Sequence, residues 1–151
     1  MIRYSKILKL SKGTELRNNA DKFGYIYTSA SPFYALGNYD LSAEELIKIR
    51  QIARVVKTYI GDGSFSTSIP RILTDMGVRP YDFFSGLNDY MIEHKVSEAI
   101  DDKAQLGRIL FSYVHEAYDE YEESHKYENF TNAVYDDIGR NEPDEDLTET
   151  E

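Results

Sequence analysis

His115 and Asp119 stand four residues apart in a segment that reads as helical, and this spacing can put two metal ligands on one helical face. The segment lacks the His-Glu-x-x-His signature, because aspartate occupies the place of the second histidine. Acidic residues flank the pair, so we interpret it as a solvated charged face. The paired carboxylates of Asp136 and Asp137 lack the spaced ligands and central glycine of a calcium loop. No metal site is predicted.

Four hydroxyl residues lie between positions 64 and 68, directly after a Gly61-Asp62-Gly63 turn. A serine hydrolase needs a base and an orienting acid beside its nucleophile, and His94 and Asp75 are residues of the right types. Nothing in the sequence brings them together, and the turn is too short for a phosphate-binding glycine loop. We interpret the serines as helix-capping residues. A small independent hydrolase or metal enzyme therefore ranks last among three functional hypotheses.

The chain contains no cysteine, which excludes disulfides, thiolate zinc sites, a cysteine nucleophile and a cysteine-bound iron-sulfur cluster within it. No stretch reaches the roughly 18 uninterrupted apolar residues of a membrane span, so we expect a soluble cytoplasmic protein without a membrane partner. Of the net charge of −10, residues 1–78 hold 11 Lys+Arg against 7 Asp+Glu, and residues 79–151 hold 6 against 20. Because the acidic half repels phosphate backbones, nucleic-acid binding is disfavoured.

The amino-terminal residues predict a strand, a helix and a second strand. Arg3 to Leu10 partly alternates apolar and polar side chains, as a short strand does. Thr14 can cap a helix over about Glu15 to Phe23, which Gly24 would end in the left-handed conformation. Tyr25 to Thr28 can form the second strand. Because a lone strand leaves backbone groups unpaired, we expect the first strand to pair with the second or with another copy of the chain, or else to fray.

Helices dominate the rest of the sequence. After an expected loop over Ser29 to Asn38, the capping box Ser42-Ala43-Glu44-Glu45 opens a helix over about residues 42–60. Further helices are expected to begin at Ser66 or Ser68, at Pro80, and at Asp101 or Asp102 with a stripe from Leu106 to Tyr121, before a final amphipathic turn or two with Phe130, Val134 and Ile138. Residues 141–151 are expected to be a disordered acidic tail. The predicted fold class is mainly α, a helical bundle of about five helices after a small strand-helix-strand start.

Four motifs resemble those near the carboxyl terminus of proteins in a family of cobalamin-dependent radical SAM proteins, which are Fe-S oxidoreductases. They are Gly13-Thr14, Pro32-Phe33-Tyr34, Leu41-Ser42 and the segment Tyr59 to Phe65, and the resemblance covers residues 1 to about 90. In that family, the Gly-Thr turn follows the strand that closes the barrel, and the later motifs open a helical domain of unknown function. The chain departs from the pattern at Lys12, where the family usually has proline.

The resemblance implies three parts: residues 1–28 as a strand-helix-strand remnant of the radical SAM α/β barrel, residues 29–140 as the helical domain, and residues 141–151 as the tail. It implies a parent enzyme that uses SAM, a 4Fe-4S cluster held by three cysteines, and cobalamin. We expect none of these cofactors, and no catalytic residue, within this chain itself. Gly13 and Thr14 would be the cofactor-binding residues nearest the chemistry, and only within a parent barrel, because reacting groups sit at the carboxyl ends of barrel strands. Their residue types alone predict a tight turn and a helix cap.

The leading hypothesis is therefore an accessory domain that closes the parent radical SAM barrel in cis and shapes substrate access. The second hypothesis is a free-standing acidic helical module that binds a basic protein partner. The strand Arg3 to Leu10 could also pair two copies of the chain into a homodimer. In the first two hypotheses, the chain alone is not expected to be a complete enzyme.

Overall fold

The computed structural model describes residues 8–61, 63–97 and 100–139 of the chain. The strands in this part are β1 (Ile26–Tyr27) and β2 (Ala35–Gly37), and the helices are α1 (Glu15–Asn18), α2 (Ala43–Ile60), α3 (Ser68–Met76), α4 (Pro80–Glu93), α5 (Lys103–Ala117), α6 (Asp119–Glu122) and α7 (Tyr127–Ile138). The prediction of a mainly helical fold is confirmed. Among the described helices, none is long and apolar enough to cross a membrane. The predictions for residues 1–7 and for the tail from residue 141 lie outside the described residues.

Two compact units divide the chain, and the division falls within α2, between Ala53 and Arg54. We call the described residues up to Ala53 the first unit and those from Arg54 onward the second unit. The first unit holds the small antiparallel sheet, in which β1 pairs with β2. This pairing joins residues on both sides of the boundary that the sequence predicts after Thr28.

The described end of the first strand pairs with a segment that was predicted to be a loop. Leu10 donates its backbone N–H to the carbonyl of Phe33, and Ala35 donates to the carbonyl of Leu8, each at 2.9 Å. Ala35 belongs to β2, which pairs on its other side with β1. The predicted loop over residues 29–38 was therefore wrong at β2. The described end of the first strand, residues 8–10, pairs with this segment and not with residues 25–28, which were one of its three expected outcomes.

The turn between β1 and β2 explains this change of partner. Thr28 donates its backbone N–H to the carbonyl of Tyr34 at 3.0 Å, and its hydroxyl accepts the N–H of Tyr34 at 2.9 Å. These bonds bring the chain back on itself, so β2 pairs with β1. The first strand then pairs with the remaining edge of β2.

The first helix is shorter than the predicted one over Glu15 to Phe23. It ends at Asn18, and a separate 3₁₀ turn spans Asp21–Phe23. The side-chain amide of Asn19 donates to the carbonyl of Glu15 at 2.9 Å, so it competes for a carbonyl that a continuing helix would use. Gly24 has φ of 64°, which confirms the predicted left-handed stop.

The second unit has its own aromatic and aliphatic core. α3 packs on α7, and α5 packs on α4, α6 and α7. The largest fully buried side chains of this unit are Tyr59, Phe65, Phe83, Phe130, Ile69, Ile72, Leu87, Leu110, Val114 and Val134. The hydroxyl of Tyr59 donates to the carbonyl of Leu106 at 3.0 Å, which fixes the end of α2 to α5.

The long helix predicted to run from Asp101 or Asp102 to Tyr121 is broken in two. α5 ends at Ala117, and Tyr118 leaves the helical region with φ of −144° and ψ of 52°. The ring of Tyr118 packs against those of Phe83 and Tyr113, with centroid distances of 6.3 and 5.8 Å. We attribute the break to this aromatic packing, because it turns the Tyr118 backbone away from the helical path. One helix was expected, and α5 and α6 are found.

Candidate functional site

Gly13 and Thr14 lie in a turn whose backbone is held by local hydrogen bonds. The hydroxyl of Thr14 donates to the carbonyl of Ser11 at 2.8 Å and accepts the backbone N–H of Arg17 at 3.3 Å. Gly13 has φ of 83°, and a Cβ atom built there would meet no atom within 4 Å. The tight turn and the helix cap are thus observed, and the surface in front of Gly13 is open. A role toward the cofactors of a parent barrel stays a prediction.

Arg17 follows this turn and stacks on two aromatic rings of the first unit. Its guanidinium carbon lies 3.9 Å from the ring centroid of Tyr27 and 4.8 Å from that of Phe33. The same guanidinium donates to the carbonyl of Leu10 at 3.4 Å. A cation over an aromatic face is stabilised by about 0.5 to 2 kcal/mol, depending on its exposure. Arg17 therefore ties the first strand, α1 and the β1–β2 turn together.

Two lysines extend this group of cations over aromatic rings. The ammonium nitrogen of Lys9 lies 5.7 Å from the ring centroid of Tyr34, and that of Lys12 lies 5.6 Å from the ring centroid of Phe33. Phe33 itself has φ of 55°, a left-handed conformation that a bulky side chain rarely adopts. Its N–H donates to the carbonyl of Ala30 at 2.9 Å, which holds the residue there.

We call Lys9, Lys12, Arg17, Tyr27, Phe33 and Tyr34 the cationic-aromatic face. Such a face attracts anions by charge and planar groups by stacking, and it holds no pair of nucleophile and base that would make it catalytic. The sequence analysis missed the face as a unit, because its members come from three separate segments. The available signal was the recurrence of lysine, arginine and aromatic residues between positions 9 and 34.

Exposed apolar side chains are concentrated in the first unit. Within the described part of the chain, eight of the ten exposed large hydrophobic residues belong to it, although the second unit is the larger: Leu8, Phe23, Ile26, Leu36, Tyr39, Leu41, Ile47 and Ile49. Ile26 of β1 is 65% exposed. We call these eight residues the apolar set. Exposed apolar side chains that form one contiguous patch are typical of a surface that binds another protein.

His115 and Asp119 do not share a helical face, because α5 ends between them at Ala117. His115 instead contacts Glu122, with Nδ1 and Oε2 2.6 Å apart. His94 pairs with Glu116 at 3.4 Å. Within residues 8–61, 63–97 and 100–139, no group of three or more metal-ligating side chains could hold an ion. The prediction that His115 and Asp119 lie on one face of the same helix was therefore wrong.

The prediction that the hydroxyl residues after Gly63 cap a helix was wrong for α3, because the side chain of its N-cap Thr67 makes no capping hydrogen bond and Asp137 caps the helix instead. The buried Ser68 donates its hydroxyl to the carboxylate of Asp137 at 2.7 Å, and the same carboxylate accepts the backbone N–H of Ser68 and of Thr67. Asp75, which a hydrolase would need as orienting acid, accepts the hydroxyl of Tyr121 at 3.0 Å. These contacts assign Thr67, Ser68 and Asp75 to the fold of the second unit.

Comparison with known proteins gives a match to a protein family. A family described as a protein of unknown function (DUF4080) matches residues 21–142, which is most of the chain and includes both units. No curated protein and no solved structure matches it. The sequence match extends from the 3₁₀ turn before β1 to beyond α7. The chain belongs to the DUF4080 family of proteins of unknown function.

Proposed function

We propose that this chain is the carboxyl-terminal accessory part of a cytoplasmic, cobalamin-dependent radical SAM enzyme, an Fe-S oxidoreductase. In this proposal it closes the barrel of the parent enzyme in cis and shapes the access of substrate. The support comes from the four sequence motifs that resemble those of the radical SAM family and from the character of the first unit. The match to a helical family of unknown function is compatible with this role.

The observation that carries the proposal is the outer edge of the segment Leu8–Leu10. The carbonyl of Leu8 accepts the N–H of Ala35 in β2, and the N–H of Leu10 donates to the carbonyl of Phe33 just before β2. In an antiparallel pair, the backbone groups of the intervening Lys9 point to the opposite edge. An edge of this kind is a template for another strand, and natural proteins usually cover such edges. The proposed cover is the neighbouring strand of the parent barrel.

The apolar set supports the same proposal by its location. Burying these side chains against a barrel would remove apolar area from water, which stabilises an interface by about 25 cal/mol per Å². Ile26 and Leu36 belong to the two strands of the first unit and are 65% and 37% exposed. A surface that extends the small sheet on the parent barrel would cover both.

The parent's cofactors would be held by the barrel and not by this chain, since the chain has no cysteine for an iron-sulfur cluster. Bound there, they would supply a radical from SAM, while the protein positions and shields the reacting groups. The part of this chain would be to present the open turn at Gly13 and Thr14, with Lys12 beside it, toward the substrate entrance. Lys12 would then favour an approaching anion.

The proposal is tested first on the coding sequence upstream of Met1, read in frame for a Cys-x-x-x-Cys-x-x-Cys motif. The encoded barrel and this chain are then produced together as two separate polypeptides. We expect the two to copurify. Ile26→Asp should weaken this association about tenfold or more, because it places a charge in an apolar interface. Ile92→Asp is the matched control, since Ile92 is an isoleucine of the second unit with 56% exposure.

A free-standing interaction module is the second candidate, and one observation favours it. The second unit has a complete core of its own, and its residues 54–139 hold 8 Lys+Arg against 16 Asp+Glu. An acidic helical unit of this kind can bind a basic protein partner. The absence of any upstream barrel, together with a chain that pairs with itself through Leu8–Leu10 in sedimentation, would favour this candidate and contradict the accessory role.

A further inference from the structure

A cavity of about 440 Å³ opens within the second unit, between the end of α2 and the start of α5. Three cationic side chains line it, those of Arg54, Lys57 and Lys103, together with Thr58 and the buried Ser64. Pockets of about 300 to 1,000 Å³ are the usual size for small-molecule sites. The cavity is therefore large enough for a metabolite, and it is considerably larger than one inorganic ion requires.

The cations are placed on this cavity by helical spacing. One face of α2 and its end carries four of the lining residues. Lys57 and Thr58 lie three and four residues after Arg54, and Gly61 lies four and three residues after them. A Cβ atom at Gly61 would collide with the carbonyl of Lys57, and that carbonyl accepts the N–H of Gly61 at 2.9 Å. Glycine at this position lets the end of α2 close without this collision.

The opposite wall is held rigidly to this face. The fully buried Tyr59 donates its hydroxyl to the carbonyl of Leu106 in α5, and its ring lies 5.0 Å from that of Phe65. Asp102 caps α5 through the N–H groups of Ala104 and Gln105, at 3.1 and 3.3 Å. The helix therefore starts at Lys103, which lines the cavity.

The gathering of positive charge is unusual in so acidic a unit. Residues 54–139 contain eight lysines and arginines against sixteen acidic residues, and three of the eight cations line this one cavity. Among residues 63–97 and 100–139, Asp101 is the carboxylate that lines it. An anionic ligand would be attracted to this concentration of positive side chains, since opposite charges attract.

We propose that this cavity binds a phosphate-bearing small molecule, independently of the accessory role of the chain. Arginine binds phosphate oxygens in a bidentate manner, and lysine binds them as a point charge. Thr58 and Ser64 can complete the set of hydrogen bonds. The buried side chains of Ile100 and Leu106 line the same cavity and offer an apolar surface to the remaining part of the ligand.

The test uses the full chain with inorganic phosphate, pyrophosphate and adenosine diphosphate as probes, at low ionic strength. We expect pyrophosphate and adenosine diphosphate to give saturable changes of the amide NMR signals of Thr58, Ser64 and Lys103. Lys57→Gln and Lys103→Gln should each raise the dissociation constant about tenfold, the loss of one charge-assisted hydrogen bond. The control is Lys95→Gln, because Lys95 is an exposed lysine of the same unit that does not line the cavity. Its dissociation constant should change less than about twofold.

The probes also distinguish the parts of the ligand. Equal affinities for pyrophosphate and adenosine diphosphate would mean that the phosphates alone are bound. A higher affinity for adenosine diphosphate would indicate a further contact between the nucleoside and the apolar side chains of Ile100 and Leu106. Signal changes that do not saturate at millimolar concentrations would overturn the proposal, as would an equal loss of affinity in the Lys95 variant. Melting curves without ligand establish whether each variant is folded. If a variant is unfolded, the presence or absence of saturable signal changes in the unsubstituted chain decides between binding and no binding.

Discussion

Asp137 satisfies the start of a helix to which it does not belong. The first N–H groups of any helix lack partners within it, and a negative charge near them is favourable. The side chain of Thr67, at the N-cap position of α3, makes no capping bond. Asp137 of α7 replaces it by accepting the N–H of Ser68 at 2.8 Å and the Ser68 hydroxyl at 2.7 Å. The first turn of α3 therefore depends on α7.

Replacing Asp137 by alanine should lower the free energy of unfolding of the second unit by about 1 to 3 kcal/mol. The buried Ser68 would lose its partner, and the start of α3 would lose its cap. Denaturant unfolding followed by circular dichroism measures the change. Asp136→Ala is the matched control, because it removes an exposed carboxylate from the adjacent position and should cost less than about 0.5 kcal/mol. Equal losses in the two variants would refute the capping role.

At the scale of elements, the sheet of the first unit has short strands and exposed edges. Each strand of β1 and β2 has two or three residues, and the segment Leu8–Leu10 adds two backbone hydrogen bonds. Short pairings with solvent access open at low free energy. The second unit has long helices around a buried core, and its amides should open at a cost near that of global unfolding.

Two measurements follow from this difference. Amide protons of residues 8–37 should exchange at least about tenfold faster than those of α5, since fewer contacts must break to expose them. A chain that begins at Ser31 should keep the cooperative melting of the second unit, whose core comes from its own residues. Loss of cooperative melting in the shortened chain would make the first strand integral to the fold, and would count against the barrel-fragment interpretation.

Local chemistry made several elements predictable from sequence. The capping box is observed as Ser42 donating its N–H to Glu45 at 2.7 Å, and Glu45 donating its N–H to Ser42 at 3.2 Å. Gly77 ends α3 with φ of 63°, and Asp102 caps α5 as predicted. The Gly13-Thr14 turn of the candidate site belongs to the same class. Each of these depends on residues within about four positions of one another, which a sequence displays directly.

The features that were not predictable depend on partners far apart in sequence. Pairing of Leu8–Leu10 with the region of Phe33 required knowledge of how the β1–β2 turn closes. The stacking of Arg17 on Tyr27 and Phe33, which forms much of the cationic-aromatic face, has the same origin. The break at Tyr118 reflects packing that overrides helical propensity. Hydrophobic periodicity carries no information about such contacts.

At the scale of the whole molecule, the many tyrosines set how the protein responds to alkali. Burial raises the pKa of four of them, Tyr59, Tyr113, Tyr121 and Tyr127, above the ordinary range. A hydrogen bond to Tyr118 raises the pKa of Tyr113 further, and the carboxylate of Asp75 does so for Tyr121. These hydroxyls stay protonated in the folded chain at a pH where unfolded tyrosine ionises.

We therefore expect stability to fall as the pH rises above about 10. Below the ordinary tyrosine pKa of about 10, these tyrosines are protonated in both the folded and the unfolded state. Their contribution to the free energy of unfolding is therefore fully present there. Above it, the unfolded state releases protons that the folded state keeps, and the free energy of unfolding declines. Absorbance at the tyrosinate band should show these four tyrosines ionising only on unfolding. Tyr59→Phe should make the decline shallower, with Tyr39→Phe as the exposed control. An unchanged slope in Tyr59→Phe would contradict the assignment.

The capping of α3 by Asp137 also bears on the order in which the chain acquires its structure during translation. Ser68 and Asp137 lie 69 positions apart, so the ribosome has finished all of α3 long before it adds the carboxylate that caps it. Until then, the first amides of α3 can only be hydrated, and the packing of α3 on α7 is missing as well. A nascent chain interrupted before α7 thus lacks α7 itself and also leaves the first turn of α3 without its cap. The first turn of α3 is among the last parts of the second unit to form, although it is among the first to be synthesised.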